Sequence, residues 1–410
     1  MNIIIHRYNS ICEPDFIDAF KSLGIDVIED CAEMTDKNLP LDTRVATLTE
    51  LVLVNHPMFV FTINFFPYIS MICERLGVVY ACVSVDCPVV ELYSTMIRNK
   101  CNRIFLFDYQ QYLDIHDENP ECIFHMPLGV NIQRLDRTIG EPDWDGLAGI
   151  GSSHKEYKYD VSFIGSLYRE KNKYPEMYKK LPDRYKGMCD GLLDVQRLMN
   201  GQQLLEQSIT NELVEVIKNT AGDFYPSDMS IHNIDKFVAV NDYLSLEMTV
   251  RDREDLLSGI DTASGHEKRL HVFTRSDVKA LRKRAPGIEF HGGVRSLDEM
   301  PMVFRQSRIN LNPTMRSIQM GLPQRIWDVL GAGGFLLTNY QVEIPEYFEI
   351  GKHLEVYESV EEACEKIEYY LAHEDERIEI ARAGYELVKE KHTVIARVVE
   401  MIKIISSSLQ

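Results

Sequence analysis

Short runs of β-branched and other apolar residues recur along this chain, separated by helically spaced segments, and that alternation leaves few folds open. Asn2 to Ile5 is an apolar strand, Pro14 to Leu23 carries helical spacing at Phe16, Phe20 and Leu23, and Ile25 to Ile28 is strand-like again. The pattern returns at Phe59 to Ile63, in a helix opened by Pro67 and running through Arg75, and at Val78 to Val85, Arg103 to Phe107 and Ile123 to Pro127. Strands separated by helices pair in parallel, so the expected product is an α/β sheet covered on both faces.

At 410 residues the chain exceeds what one core usually supports, which predicts two domains. From Arg137 to Tyr159 the periodicity fails and Gly, Pro, Asp and Ser accumulate, as in a connector. The expected division is therefore 1–145, then 146–392, with 393–410 as a C-terminal helix. A second series of strands follows at Tyr159 to Ile164, Leu270 to Thr274, Ile288 to Phe290, Ile309 to Leu311, Phe335 to Thr338 and His353 to Val356. Between the first two lies a helical insertion, about 170–265, with apolar spacing at Tyr243, Leu246, Val250 and Leu257. Ser296 with Glu299 and Ser359 with Glu362 fit the S-x-x-E capping box and predict helix starts.

Composition narrows the partners. The 44 basic against 63 acidic residues give a net charge of -19, which argues against nucleic acid and anionic membranes as partners. Nine cysteines include no C-x-x-C pair, so a reducing, cytoplasmic setting is expected. The N-terminus reaches charge after three apolar residues and reads as a first strand, not a leader peptide. The most apolar region, Leu51 to Cys73, is broken by Asn55, His56, Pro57, Asn64 and Pro67, and predicts no membrane span.

In doubly wound sheets ligands bind beyond the carboxyl ends of strands. On the first half this selects Asn9 and Glu13 after the first strand, Asn64 after the Phe59 strand, and Asp86 before Cys87-Pro88, although such residues also serve turns and helix starts. Asn9, Glu13 and Asn64 are the acceptor-side candidates and Asp86 the candidate general base. On the second half, Gly165 and Ser166 form a strand-to-glycine turn suited to a phosphate, followed by Arg169, Lys171 and Lys173. His291-Gly292-Gly293 could let a nucleobase approach bare backbone. The segment from Asn310 to Asn339 is richest: a strand end, Arg316 and Ser317, a Gly-Leu-Pro turn, then a helix carrying Arg325 and Asp328. Arginines beside a helix start suit a diphosphate, and Asp328 suits vicinal ribose hydroxyls. Asp143-Trp144-Asp145 spells a D-x-D, but it follows no strand, and the histidines lack any metal-binding spacing, so neither a metal nor another cofactor is expected.

The stretch from Asn310 to Thr338, with Pro345-Glu-Tyr-Phe, Gly351-Lys and Arg382 to His392, resembles the group 1 glycosyltransferases, and closely the CgeB-like (spore maturation) branch. Arg7 to Glu13, Asp86 to Pro88 and Pro127 to Asn131 are similar to that branch's N-terminal domain. The resemblance implies a GT-B architecture, two Rossmann-like domains facing across a cleft, and metal-independent transfer of a hexosyl or N-acetylhexosaminyl group from a nucleoside diphosphate sugar, UDP-sugar foremost. Asp328 matches the second acid of the group's E-x7-E signature; the first would fall at Met320, where this sequence departs from it. Two alternatives stay open: a nucleotide-sugar 2-epimerase, since that chemistry also occurs on two facing Rossmann-like domains, and, given the missing first acid, a non-catalytic nucleotide-sugar-binding subunit. The acceptor is not legible.

Overall fold

The computed structural model describes residues 1–147, 157–199, 202–222, 224–225 and 230–407. The first half builds a six-stranded parallel sheet from β1 (Asn2–His6), β2 (Asp26–Asp30), β3 (Phe59–Ile63), β4 (Val79–Val83), β5 (Asn102–Leu106) and β6 (Ile123–His125), in the order β2-β1-β3-β4-β5-β6. Every residue of β3, β4 and β5 is buried, because helices cover both faces. Helix α1 (Glu13–Ser22) packs Phe16 and Phe20 against Phe59 and Phe61 on one face, while Ile69 and Ile72 of the helix Pro67–Leu76 join Val60 and Tyr80 on the other.

The second half repeats the theme with β7 (Tyr159–Ile164), β8 (Leu270–Phe273), β9 (Glu289–His291), β10 (Ser307–Asn312), β11 (Leu336–Asn339) and β12 (Glu355–Tyr357), ordered β12-β11-β10-β7-β8-β9. Helices between β7 and β8, among them Asp183–Arg197, Asn211–Ala221 and α2 (Ser245–Ala263), form an apolar cluster of their own around Leu193, Leu213, Ile217 and Met248. The expected boundary at 145/146 abuts residues 148–156, which lie outside the described residues.

After β10 the chain turns into α3 (Gln324–Gly331), and the later helices α4 (Glu374–Lys391) and α5 (Val394–Ser407) close the chain. The glycines after α3 are required by close approach. A side chain at Gly334 would meet Asn310 Nδ2 at 2.7 Å, and Gly333 adopts φ +74°. Ser359 caps its helix as expected, accepting from the Glu362 N–H at 3.1 Å. Ser296 does not cap. Asp298 takes that place, accepting from the Glu299 N–H at 2.9 Å, while Glu299 accepts from the Arg295 N–H. Two acceptors compete at this helix start, and the shorter loop closes on the aspartate.

Helix α5 lies against α1 of the first half. The Val394 N–H donates to the Val130 carbonyl at 3.0 Å, Arg397 Nε donates to Leu128 O at 3.1 Å, and Met401 and Ile405 are fully buried in one cluster with Phe16, Phe20 and Trp327. Truncating Met401 to alanine should therefore cost about 2–5 kcal/mol of unfolding free energy. Urea or thermal unfolding checks this; an unchanged midpoint would make the helix peripheral to the core.

Candidate active site

The two sheets present their carboxyl-terminal rims to one cleft of about 730 Å³. On the second half the cleft meets the ends of β7 and β10, the adjacent pair at which the strand order reverses, where a doubly wound sheet leaves a natural crevice. On the first half it meets the loops after β1 and β4.

Two guanidinium groups dominate the second-half wall. Arg253, on α2, is 9% exposed; its Nη2 donates to Pro313 O at 3.0 Å, Nη1 donates to Ser166 O, and its guanidinium lies 4.7 Å from the Tyr168 ring centre. Arg325, the second residue of α3, donates to Ile164 O at 2.9 Å and packs over Phe304. Both Nε atoms are buried without a hydrogen-bond partner, and neither arginine has an acidic partner within ion-pair distance among the described residues. Burial pushes both guanidinium pKa values down from the usual arginine range. Gly165 and Ser166 line the cleft with them; a side chain at Gly165 would press on the Phe163 ring at 3.2 Å and come within 3.8 Å of Arg253 Nη1.

Asp328 is 9% exposed in the same cleft, accepting from Gln324 Nε2 at 2.9 Å. Burial pushes its carboxyl up, against the pull of the Gln324 hydrogen bond and of Arg325 and Arg134. Opposite stands Asp86, exposed, its Oδ2 accepting from Asn64 Nδ2 at 2.7 Å. Asn64 holds φ +58° and takes the Val85 N–H on its Oδ1 at 2.9 Å, so Asn64 positions Asp86 and does not itself line the space. Burial pushes the Cys12 and Cys87 thiols well above the usual thiol range, which disfavours the thiolate at both.

Of the site candidates singled out from sequence, Asp86, Gly165, Ser166, Lys171, Lys173, Ser317, Arg325 and Asp328 meet in the cleft. The others do not line it. Glu13 is fully buried, closing the β1–α1 loop by accepting from the Tyr8 and Ser10 N–H groups at 2.8 and 3.0 Å and pairing with Arg7. Asn9 is an exposed left-handed residue beside it, φ +73°. Arg169 is held by Glu254, and Arg316 by Asp252 at 2.5 Å with the Met199 carbonyl at 2.7 Å, where it lines a smaller cavity behind the main one. His291 ends β9 at the sheet edge, stacked on Phe273 at 4.4 Å, with the exposed Gly292 after it. Asp143 turns its carboxylate inward to the Gly146 N–H. Arg253 escaped the sequence reading because the helical spacing of α2 reads as a packing helix with a solvated, charge-rich face.

At Met320, where the resemblance places an acid, the backbone is engaged from the first half: Asp108 Oδ2 accepts from the Met320 and Gly321 N–H groups, both at 2.9 Å.

This geometry agrees with the comparisons. Residues 253–403 match the family described as glycosyl transferase-like. Among solved structures, a glycosyltransferase from Rickettsia africae ESF-5 superposes with TM-score 0.57 at 10% identity, over 100% of this chain and 98% of that one. Sucrose-phosphate synthase from Thermosynechococcus elongatus gives TM-score 0.57 at 9% identity over 100% of both chains. The chain has the GT-B fold. Anabaena Alr3699/HepE, solved in complex with UDP-glucose, gives TM-score 0.52 at 10% identity over 99% of this chain and 100% of that one. No curated protein matches the chain. Among the described residues, no helix of this GT-B protein is long and apolar enough to cross a membrane.

The raised Asp328 pKa gives a signed expectation. Its ionised form is disfavoured in the fold, so it costs stability in full above its folded pKa, and the cost disappears as pH falls towards the ordinary carboxylate range. Asp328→Asn should melt higher than the unliganded wild type at pH 7 to 8. The gap should close on acidification, as followed by thermal denaturation across pH; a gap independent of pH would contradict burial of the charge.

Proposed function

We propose that this chain transfers a hexosyl or N-acetylhexosaminyl group from a nucleoside diphosphate sugar, UDP-sugar foremost, to an acceptor, without a catalytic metal. The carrying observation is the pair Arg253, buried, and Arg325, half-buried with its Nε covered, beside the reversal point of the second sheet and, among the described residues, with no carboxylate in ion-pair contact. Two such cations stand ready for a diphosphate, and as the leaving group takes up charge they supply the electrostatic stabilisation that metals supply in other transferases. Asp328 is the ribose acceptor in this reading. The UDP preference rests on the similar fold of Alr3699/HepE, and the CgeB-like assignment on the motif residues quoted above.

Asp86 is our candidate base on the facing wall, aimed by Asn64. If transfer inverts the anomeric centre, Asp86 takes the proton from the acceptor hydroxyl as that oxygen attacks the anomeric carbon and the diphosphate leaves. All nine cysteines are free thiols, which supports a cytoplasmic setting.

Calorimetry with UDP and UDP-glucose in chelator-containing buffer tests the donor site. Arg253→Ala should weaken binding by roughly 10- to 100-fold, the worth of charge-assisted hydrogen bonds, and Asp328→Ala should weaken nucleoside more than inorganic diphosphate. No response of the wild type to either ligand would remove the transferase reading. For Asp86→Asn, a loss of turnover with unchanged donor affinity is expected, and near-normal turnover would strike Asp86 from the mechanism.

A further inference from the structure

At the free edge of the second sheet, far along the strand order from the reversal point, three ligating side chains converge. His271 on β8 and Glu289 on β9 are register partners, and His291 follows Glu289 by two residues, so all three share one sheet face. His271 Nδ1 lies 3.1 Å from His291 Nε2 and 3.4 Å from Glu289 Oε2, and all three ligand atoms fall within 4.8 Å of one another.

Those separations carry information. Ligands about 2.0–2.1 Å from a tetrahedral zinc stand roughly 3.3–3.4 Å apart along the edges of the tetrahedron. The two measured separations bracket that value. Without a cation, His271 Nδ1 faces the other imidazole's Nε2 and a carboxylate oxygen together, and one proton serves that convergence incompletely.

The surroundings hold the rings. Tyr159 packs on His271 at 4.9 Å between ring centres, and Phe273 stacks on His291. Glu289 is 42% exposed, so ions can reach the site from solvent. Two charges bear on it from β7 and the residue before: Asp160 favours a cation and Lys158 opposes one, but Lys158 is exposed and lies over the Tyr159 ring.

We propose that His271, Glu289 and His291 bind one zinc ion, with water completing the tetrahedron, stapling the edge strand β9 to β8. Two imidazoles with one carboxylate are a donor set that zinc accepts readily. The site lies outside the cleft lining, so its role is to fix the sheet edge, and it stands or falls independently of the sugar-transfer reading.

The test uses the full chain, stripped with chelator and titrated with zinc chloride alone, with bound zinc counted by elemental mass spectrometry and melting followed in parallel. Wild type should bind one zinc per chain and melt higher with it. His291→Gln and Glu289→Gln should each bind at least about tenfold more weakly, since even outer partners of a metal ligand are worth that much, and the melting shift should vanish. No bound zinc, or an affinity unchanged in either variant, would overturn the site. Should His291→Gln fail to fold by circular dichroism in zinc-free buffer, Glu289→Gln at its half-exposed position decides alone.

Discussion

Covering a guanidinium that no carboxylate touches is costly, and among the described residues Arg253 is buried in this way and Arg325 half-buried, with its Nε covered, beside one crevice. The arrangement around Arg253 and Arg325 follows from that cost. Each is offset in part by main-chain carbonyls, Ser166 and Pro313 for the first and Ile164 for the second, and by aromatic faces at Tyr168, Phe163 and Phe304. Carbonyls and rings tolerate a cation without neutralising it, so the positive potential stays available to a guest. Arg169 and Arg316 make the contrast: each is matched to an acid, and each lies outside the cleft lining.

The crevice exists because the two halves are held face to face at several places remote from it. Helix α5 returns to α1 and buries Met401 and Ile405 there. Arg134 of the first half pairs with Asp15 and also donates to the Leu297 carbonyl of the second at 2.9 Å. Glu343 accepts from the Tyr109 N–H at 2.8 Å across the same divide. The helical insertion reaches the first half too, the Ile231 N–H donating to Tyr93 O at 2.7 Å while Phe237 packs on Tyr93.

The alternation of β-branched runs with helical spacing made the parallel sheets legible, since all twelve strands among the described residues fall on runs visible in the sequence, with ends displaced by a residue or two. Strand order was not legible, because pairing depends on contacts between segments far apart in the chain. Among site residues, Asp328, Arg325 and Gly165 could be found because each follows a strand at a turn with unusual residue types. Arg253 could not: it sits in a helix whose charged residues look solvated until the tertiary fold buries one of them. Glu13 misled for the converse reason, since a carboxylate after a strand serves a loop's own N–H groups as readily as a ligand. The histidine and glutamate cluster was invisible for a third reason, as its ligands lie on two strands joined only by the sheet.

The departure at Met320 acquires a physical account from the fold. In the sequence it is a missing acid; in the structure its N–H, with that of Gly321, is held by Asp108 from the opposite half. Gly321 must stay a glycine there, since a Cβ would meet the Phe107 carbonyl and Asp108 Cα at 2.7 Å. A carboxylate side chain at position 320 would stand near Asp108, whose charge is already committed to two N–H donors, and like charges brought together there would repel. The loop at this position serves a contact between the halves. Asn241 and Asp242, carried into the cleft by the helical insertion, add polar side chains to the wall on that side.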